Sequence, residues 1–119
     1  MMIEMRTYYC APGRMPALQE RFKNHTLGFF DKHGIKALGF WTTLVGQDNH
    51  ELMYLLEWKD MAEREAKWSA FQADPQWIAR RTESEADKPI LARVSSQFLA
   101  PCAFFPAKLG WGRRWATAT

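Results

Sequence analysis

The chain has 119 residues, 14% of them aromatic, and a formal net charge of +3. That length makes one domain, which buries roughly 65% of the unfolded surface, and a chain with six Trp and eight Phe is expected to have a core heavy in large rings, which excludes disorder over most of the length. The charge is no sign of a nucleic-acid partner: Lys108, Arg113 and Arg114 lie in residues 106–119, so residues 1–105 carry thirteen bases against thirteen acids, with no one-sided basic stripe.

Residues 2–10 alternate, with Ile3, Met5, Thr7 and Tyr9 on one face and Glu4, Arg6, Tyr8 and Cys10 on the other. Period two with β-branched and aromatic members predicts a strand. Pro12 and Gly13 break it. From Met15 to His33 the apolar positions Met15, Leu18, Phe22, His25 and Phe29 recur at steps of three and four, which predicts a helix with one apolar stripe. Pro16 suits its first turn, and Gly34 supplies the left-handed residue that ends it.

Residues 35–45 and Glu51 to Trp58 read as two strands joined by the polar turn 46–49, an antiparallel hairpin. Asp60 and Glu63 are spaced as a capping box, opening a helix to about Ala73 with Met61, Trp68 and Phe71 facing inward. Asp74-Pro75 restarts a short helix, 83–88 read as a charged loop, and 90–99 form the last strand. The order β-α-β-β-α-β predicts an α+β, ferredoxin-like fold, a four-stranded antiparallel sheet with helices on one face. Residues 1–105 make this domain. Residues 106–119 form a basic tail without a period, expected to move freely or to pack on a partner.

Helices on one side leave the other sheet face bare, and that face should then be polar at every second position. Instead both faces of the middle strands are apolar: Met53 and Leu55 lie opposite Leu52, Tyr54, Leu56 and Trp58, and Ala37, Trp41 and Val45 opposite Leu38, Phe40 and Leu44. A bare apolar sheet face exceeds what soluble monomers expose, so a homodimer in two-fold, face-to-face pairing is expected. The alternative is a tail folded back over the face.

Cys10 and Cys102 are too few for a disulfide framework and read as thiols of a reducing compartment. No stretch approaches the ~18 apolar residues of a membrane span, and a strand pattern from Met2 or Ile3 leaves no place for a targeting peptide. No membrane partner is expected, and the expected location is cytoplasmic.

Several short motifs occur in a familiar order: Glu4-Met5-Arg6-Thr7-Tyr8, Pro12-Gly13, His33-Gly34, Gly39-Phe40-Trp41-Thr42-Thr43, Trp58 to Asp60, Arg64, and Asp74-Pro75 with Trp77. Together, over residues 2–100, they resemble the NIPSNAP family. That resemblance implies a branch of the dimeric α/β barrel proteins, in which two ferredoxin-like halves pair through their sheets. Related branches include cofactor-independent monooxygenases and haem-degrading enzymes that use the cleft between sheet and helices, an analogy of fold that does not establish chemistry.

Five residues are candidates for a ligand site in that cleft: Arg6, Tyr8, His25, Trp41 and Arg64. His25, in the apolar stripe, could accept a proton or bond a ligand, or be a satisfied core histidine. Arg6 could hold an anion with the Tyr8 hydroxyl, or pair with Glu4 in the barrel. Arg64, at helical steps from Trp68 and Phe71, could supply a cation to an aromatic pocket with Trp41, or merely snorkel. His33 reads as a helix C-terminus and His50 as solvated. The three His and two Cys lack metal-ligand spacing, no phosphate loop or G-x-S-x-G elbow occurs, and neither metal nor cofactor is expected. Three functions stay open: a small-ligand binder, a cofactor-independent oxygenase, or an interaction module without a pocket.

Overall fold

In the computed structural model, which describes residues 1–105, the opening period-two stretch is β1 (Met2–Cys10), an inner strand. β2 (Lys36–Thr42), β3 (Glu51–Trp58) and β4 (Leu91–Leu99) complete an antiparallel sheet in the order β2-β3-β1-β4. This is the expected ferredoxin-like arrangement. The expected tail, 106–119, lies outside the described residues.

Helical segments pack on one face. α1 (Met15–Arg21) continues through a π-helical turn, Phe22–Thr26, into α2 (Leu27–Lys32); α3 (Met61–Ala73) and α4 (Pro75–Ser84) follow β3. Leu18, Phe22, Phe30, Trp68, Phe71 and Trp77 from these helices share one core with Cys10, Leu52, Tyr54, Leu56 and Trp58 of the sheet. Residues paired across strands share a face, so Glu4 with Leu56, Arg6 with Tyr54 and Tyr8 with Leu52 look toward the helices. Met5 with Leu55 and Thr7 with Met53 look the other way.

The π turn corrects the helical stripe. Leu27 N–H bonds to the Phe22 carbonyl five residues back, and the Thr26 hydroxyl donates to the Arg21 carbonyl at 3.3 Å. One extra residue in the turn rotates everything after it. Thr26 and Phe30 therefore take the inward places that a regular helix would give His25 and Phe29, and His25 is only half-buried. Gly34, at φ +68°, ends the helix as expected.

A bulge in β2 makes the second correction. Ala37 pairs with Leu56, but Gly39 pairs with Leu55, so Leu38 is an extra residue and alternation restarts beyond it. Ala37 and Trp41 consequently lie on opposite faces. β2 also stops at Thr42, three residues short of the expected end. Leu44 and Val45, 94% and 96% exposed, belong to the loop rather than to either sheet face. At the second helix Asp60 caps as expected, accepting from Glu63 N–H at 2.9 Å, while Glu63 reaches back to Lys59 N–H rather than to Asp60's own. Met61 points outward at 44% exposure, and α4 runs on into the expected loop as far as Ser84.

Gly39 is required by its neighbour. A Cβ there would stand 2.7 Å from the Trp41 ring, so the indole lies over the bare glycine backbone. Gly39→Ala should push the exposed far edge of the ring off the sheet and cost about 1 kcal/mol or less. Urea denaturation would show the loss, and a red-shifted tryptophan emission would show the displaced ring. An unchanged midpoint would mean that the ring moves freely.

Candidate functional site

Between α1–α2 and the β2 edge lies a groove of about 370 Å³. Phe22, Phe40 and Leu52 form its floor, Leu27 and Trp41 its walls, and Gln19, Lys23 and Thr42 its polar rim. Gln19, Phe22, Lys23 and Leu27 lie along one side of this helical run, which includes the π turn. Such turns recur at functional sites. Rigid rings back the floor. Phe22 and Phe40 meet edge to face at 5.1 Å, Phe40 stacks on Tyr54 at 4.9 Å, and Tyr8 stands behind, 5.6 Å from Phe22 and 5.3 Å from Tyr54.

Tyr54 is fully buried, and its hydroxyl joins the aromatic floor to a polar network. It accepts from Arg6 Nε at 2.9 Å and shares a 2.9 Å bond with the Tyr8 hydroxyl. Burial and the neighbouring Tyr8 push its pKa well above the ordinary phenol value, so it stays protonated.

The hub of the network is Glu4, wholly buried. Oε1 accepts from Trp58 Nε1 at 3.0 Å and Arg64 Nε at 3.2 Å. Oε2 accepts from Arg6 Nη1 at 3.0 Å, Arg64 Nη2 at 3.2 Å and the Ser96 hydroxyl at 2.8 Å. Burial alone would raise the Glu4 carboxyl, but hydrogen bonds from Arg64, Ser96 and Arg6 outweigh it and hold the group below its ordinary value. Trp68 lies under both guanidiniums, at 4.3 Å from Arg6 and 5.4 Å from Arg64.

Of the five candidates, then, Arg6, Tyr8 and Arg64 converge, but around Glu4 and behind the aromatic floor. Trp41 lines the groove from the far side, 44% exposed, and also borders a hollow on the bare sheet face with Met5, Tyr9 and Met53. His25 lies apart from both, in a pocket with Arg14, Arg21, Asn24 and Ser84, because the π turn rotates it away from the sheet. The sequence reading missed Lys23, Leu27 and Phe40 as groove residues and Tyr54 as the link. Pairing β1 with β3 by their alternation would have set Tyr54 beside Arg6; nothing in a regular helical period signals the π turn in the helical run that carries Lys23 and Leu27.

The NIPSNAP family profile matches residues 3–106. The chain belongs to the NIPSNAP family. An uncharacterized NIPSNAP domain protein from Burkholderia xenovorans is 30% identical, with a TM-score of 0.77, covering 90% of this chain and 100% of that one. A NIPSNAP family protein of unknown function from Agrobacterium tumefaciens is 21% identical over 89% and 92% of the two chains, with a TM-score of 0.77. A candidate antibiotic biosynthesis monooxygenase from Nitrosomonas europaea shares the fold, at 10% identity and a TM-score of 0.59 over 85% and 98%. No curated protein matches.

Among the residues that carry the NIPSNAP resemblance, Phe40, Trp41 and Thr42 line the groove, and most of the others form two clusters. Glu4, Arg6, Tyr8, Trp58 and Arg64 make the network just described. His33 and Asp74 meet at the other end of the first helical run, where Asp74 accepts from Lys32 Nζ at 2.7 Å, lies 2.8 Å from His33 Nε2, and caps α4 through Gln76 N–H. Lys32 first and His33 second hold the Asp74 carboxyl well below the usual carboxylate range. Trp77 of the same motif stacks on Phe71 at 4.8 Å. The first cluster thus ties α3 to the sheet and the second ties the end of α2 to the start of α4.

Proposed function

We propose that this NIPSNAP protein binds a small apolar or aromatic molecule in the groove between α1–α2 and β2, and does so as a two-fold homodimer paired through its bare sheet face. The observation that carries the binding reading is the groove. Its volume of about 370 Å³ and its apolar floor with a few polar rim groups match small-molecule sites, which run roughly 300–1,000 Å³.

The dimer rests on the face opposite the helices. Trp41 and Leu99 are 44% and 40% exposed there, beside half-buried Met5, Tyr9, Met53 and Leu55. Four strands about 4.8 Å apart and seven to nine residues long give roughly 500 Å² in plan. With side-chain relief this approaches the ~800 Å² per partner of a stable interface. Lys36 with Glu57 at one end and Glu51 with Arg93 at the other put both signs of charge at each end, so a two-fold stack meets no wall of like charge. Among the described residues no helix is long and apolar enough to cross a membrane, in keeping with a cytoplasmic dimer.

Binding is favoured over an oxygenase because neither proton acceptor such a reaction would use lines the groove: His25 lies in a separate pocket, and Tyr8 stands behind the floor with its hydroxyl bonded to Tyr54. The neutral fluorophore N-phenyl-1-naphthylamine tests the site. It should bind with blue-shifted emission, and Leu27→Asp, on an exposed wall, should weaken it about tenfold by removing apolar contact. Equal affinity in wild type and Leu27→Asp would place the probe elsewhere and defeat the proposal.

A further inference from the structure

From the rim of the groove we infer that its ligand carries a carboxylate on its apolar or aromatic body; this inference rests on the binding role proposed above. Eight residues line the groove. Five are apolar, and the other three, Gln19, Lys23 and Thr42, all offer hydrogen-bond donors. Lys23 is the only charged one, and no Asp or Glu lines the groove.

Lys23 is available to a ligand. It forms no ion pair among the described residues, whereas Lys32 and Lys67 are each held by a carboxylate. The nearest acid in sequence, Glu20, is already engaged by Asn24 Nδ2 at 2.9 Å. A flexible four-carbon stem lets the Lys23 ammonium reach over the rim while its methylenes lie on the apolar wall. A ligand with its ring between Leu27 and Trp41, above Phe22 and Phe40, would put a short acidic group among Lys23, Gln19 and Thr42. A cationic group there would meet an ammonium with no counter-charge. A neutral one would leave the ammonium unpartnered.

The test compares three molecules of one shape: 1-naphthoate, 1-naphthalenemethanol and 1-naphthylmethylammonium, titrated calorimetrically into wild-type protein. A charge-assisted contact at an exposed rim predicts that the carboxylate binds roughly fivefold tighter than the alcohol, with the ammonium weakest. Lys23→Glu should reverse the order of the two ions, and Lys23→Gln should bring acid and alcohol within about twofold. Lys23 is exposed, so both variants should keep the wild-type melting curve. Equal binding of the three molecules, or an order unchanged in Lys23→Glu, overturns the carboxylate inference and leaves the groove standing. Failure of all three to bind at millimolar concentration overturns the groove as well.

Discussion

Replacing Glu4 by Ala should cost about 3–5 kcal/mol, which lowers Tm by roughly 15–30 °C in a domain of this size. The carboxylate has no solvent exposure and receives hydrogen bonds from Arg6, Arg64, Trp58 and Ser96. Alanine leaves two guanidiniums facing each other over Trp68 without the charge between them, and it leaves the indole N–H and the Ser96 hydroxyl without their acceptor. Glu4→Gln keeps an acceptor but loses the charge and should fall between the two. The same residue sets part of the acid limit. Its folded-state pKa lies below the ordinary value of 4.5, so its stabilising contribution is complete above about pH 4.5 and is lost as pH falls through the lower, folded-state value. Denaturation at pH 7 and pH 3.5 should therefore show a smaller acid loss in Glu4→Gln than in wild type. A Glu4→Ala protein as stable as wild type at pH 7 would remove the network from its structural role.

The floor of the groove depends on this network through Tyr54 and Tyr8. Arg6 holds the Tyr54 hydroxyl, and Tyr54 supports Phe40 and Phe22. Stability and binding thus join at this pair of phenols. Glu4→Gln should accordingly loosen the groove as well as the fold.

Met53→Arg should turn the proposed dimer into a folded 13.9 kDa monomer. Met53 is half-buried at the middle of the bare face, paired with Thr7 and Trp41 across the sheet. In a monomer the arginine would reach water, so the fold should survive. In a face-to-face dimer two such charges would be buried without partners, a cost of several kcal/mol that should raise the dimer dissociation constant at least about 1,000-fold. Sedimentation equilibrium at tens of micromolar distinguishes the cases. A wild type already at 13.9 kDa, or a Met53→Arg protein that still pairs, would contradict the two-fold interface.

Much of this molecule was legible in the chain itself, wherever one period held from end to end. β1, β3 and α3 obey a single period, and their limits and faces follow from it, except that Met61 at the start of α3 points outward. Asp60, Asp74 and Gly34 act as the local caps that their chemistry predicts. The two failures that matter for the site share one cause, an extra residue in an otherwise regular element. The π turn at Phe22–Thr26 moved His25 off the inner face, and the bulge at Leu38 put Ala37 and Trp41 on opposite sides. Both insertions border the groove. Arg6, Tyr8 and Arg64 were legible as a group because strand alternation and an unbroken helix place them. Lys23 and Leu27 were not, and no pairwise spacing marks the π turn in their helical run.

The most direct measurement of the central proposal is a crystal structure grown with N-phenyl-1-naphthylamine. The predicted result is the naphthyl ring between Leu27 and Trp41, above Phe22 and Phe40, in each of two copies that meet through their bare sheet faces. A groove closed by Leu27 resting on Trp41, with the probe elsewhere or absent, would contradict it.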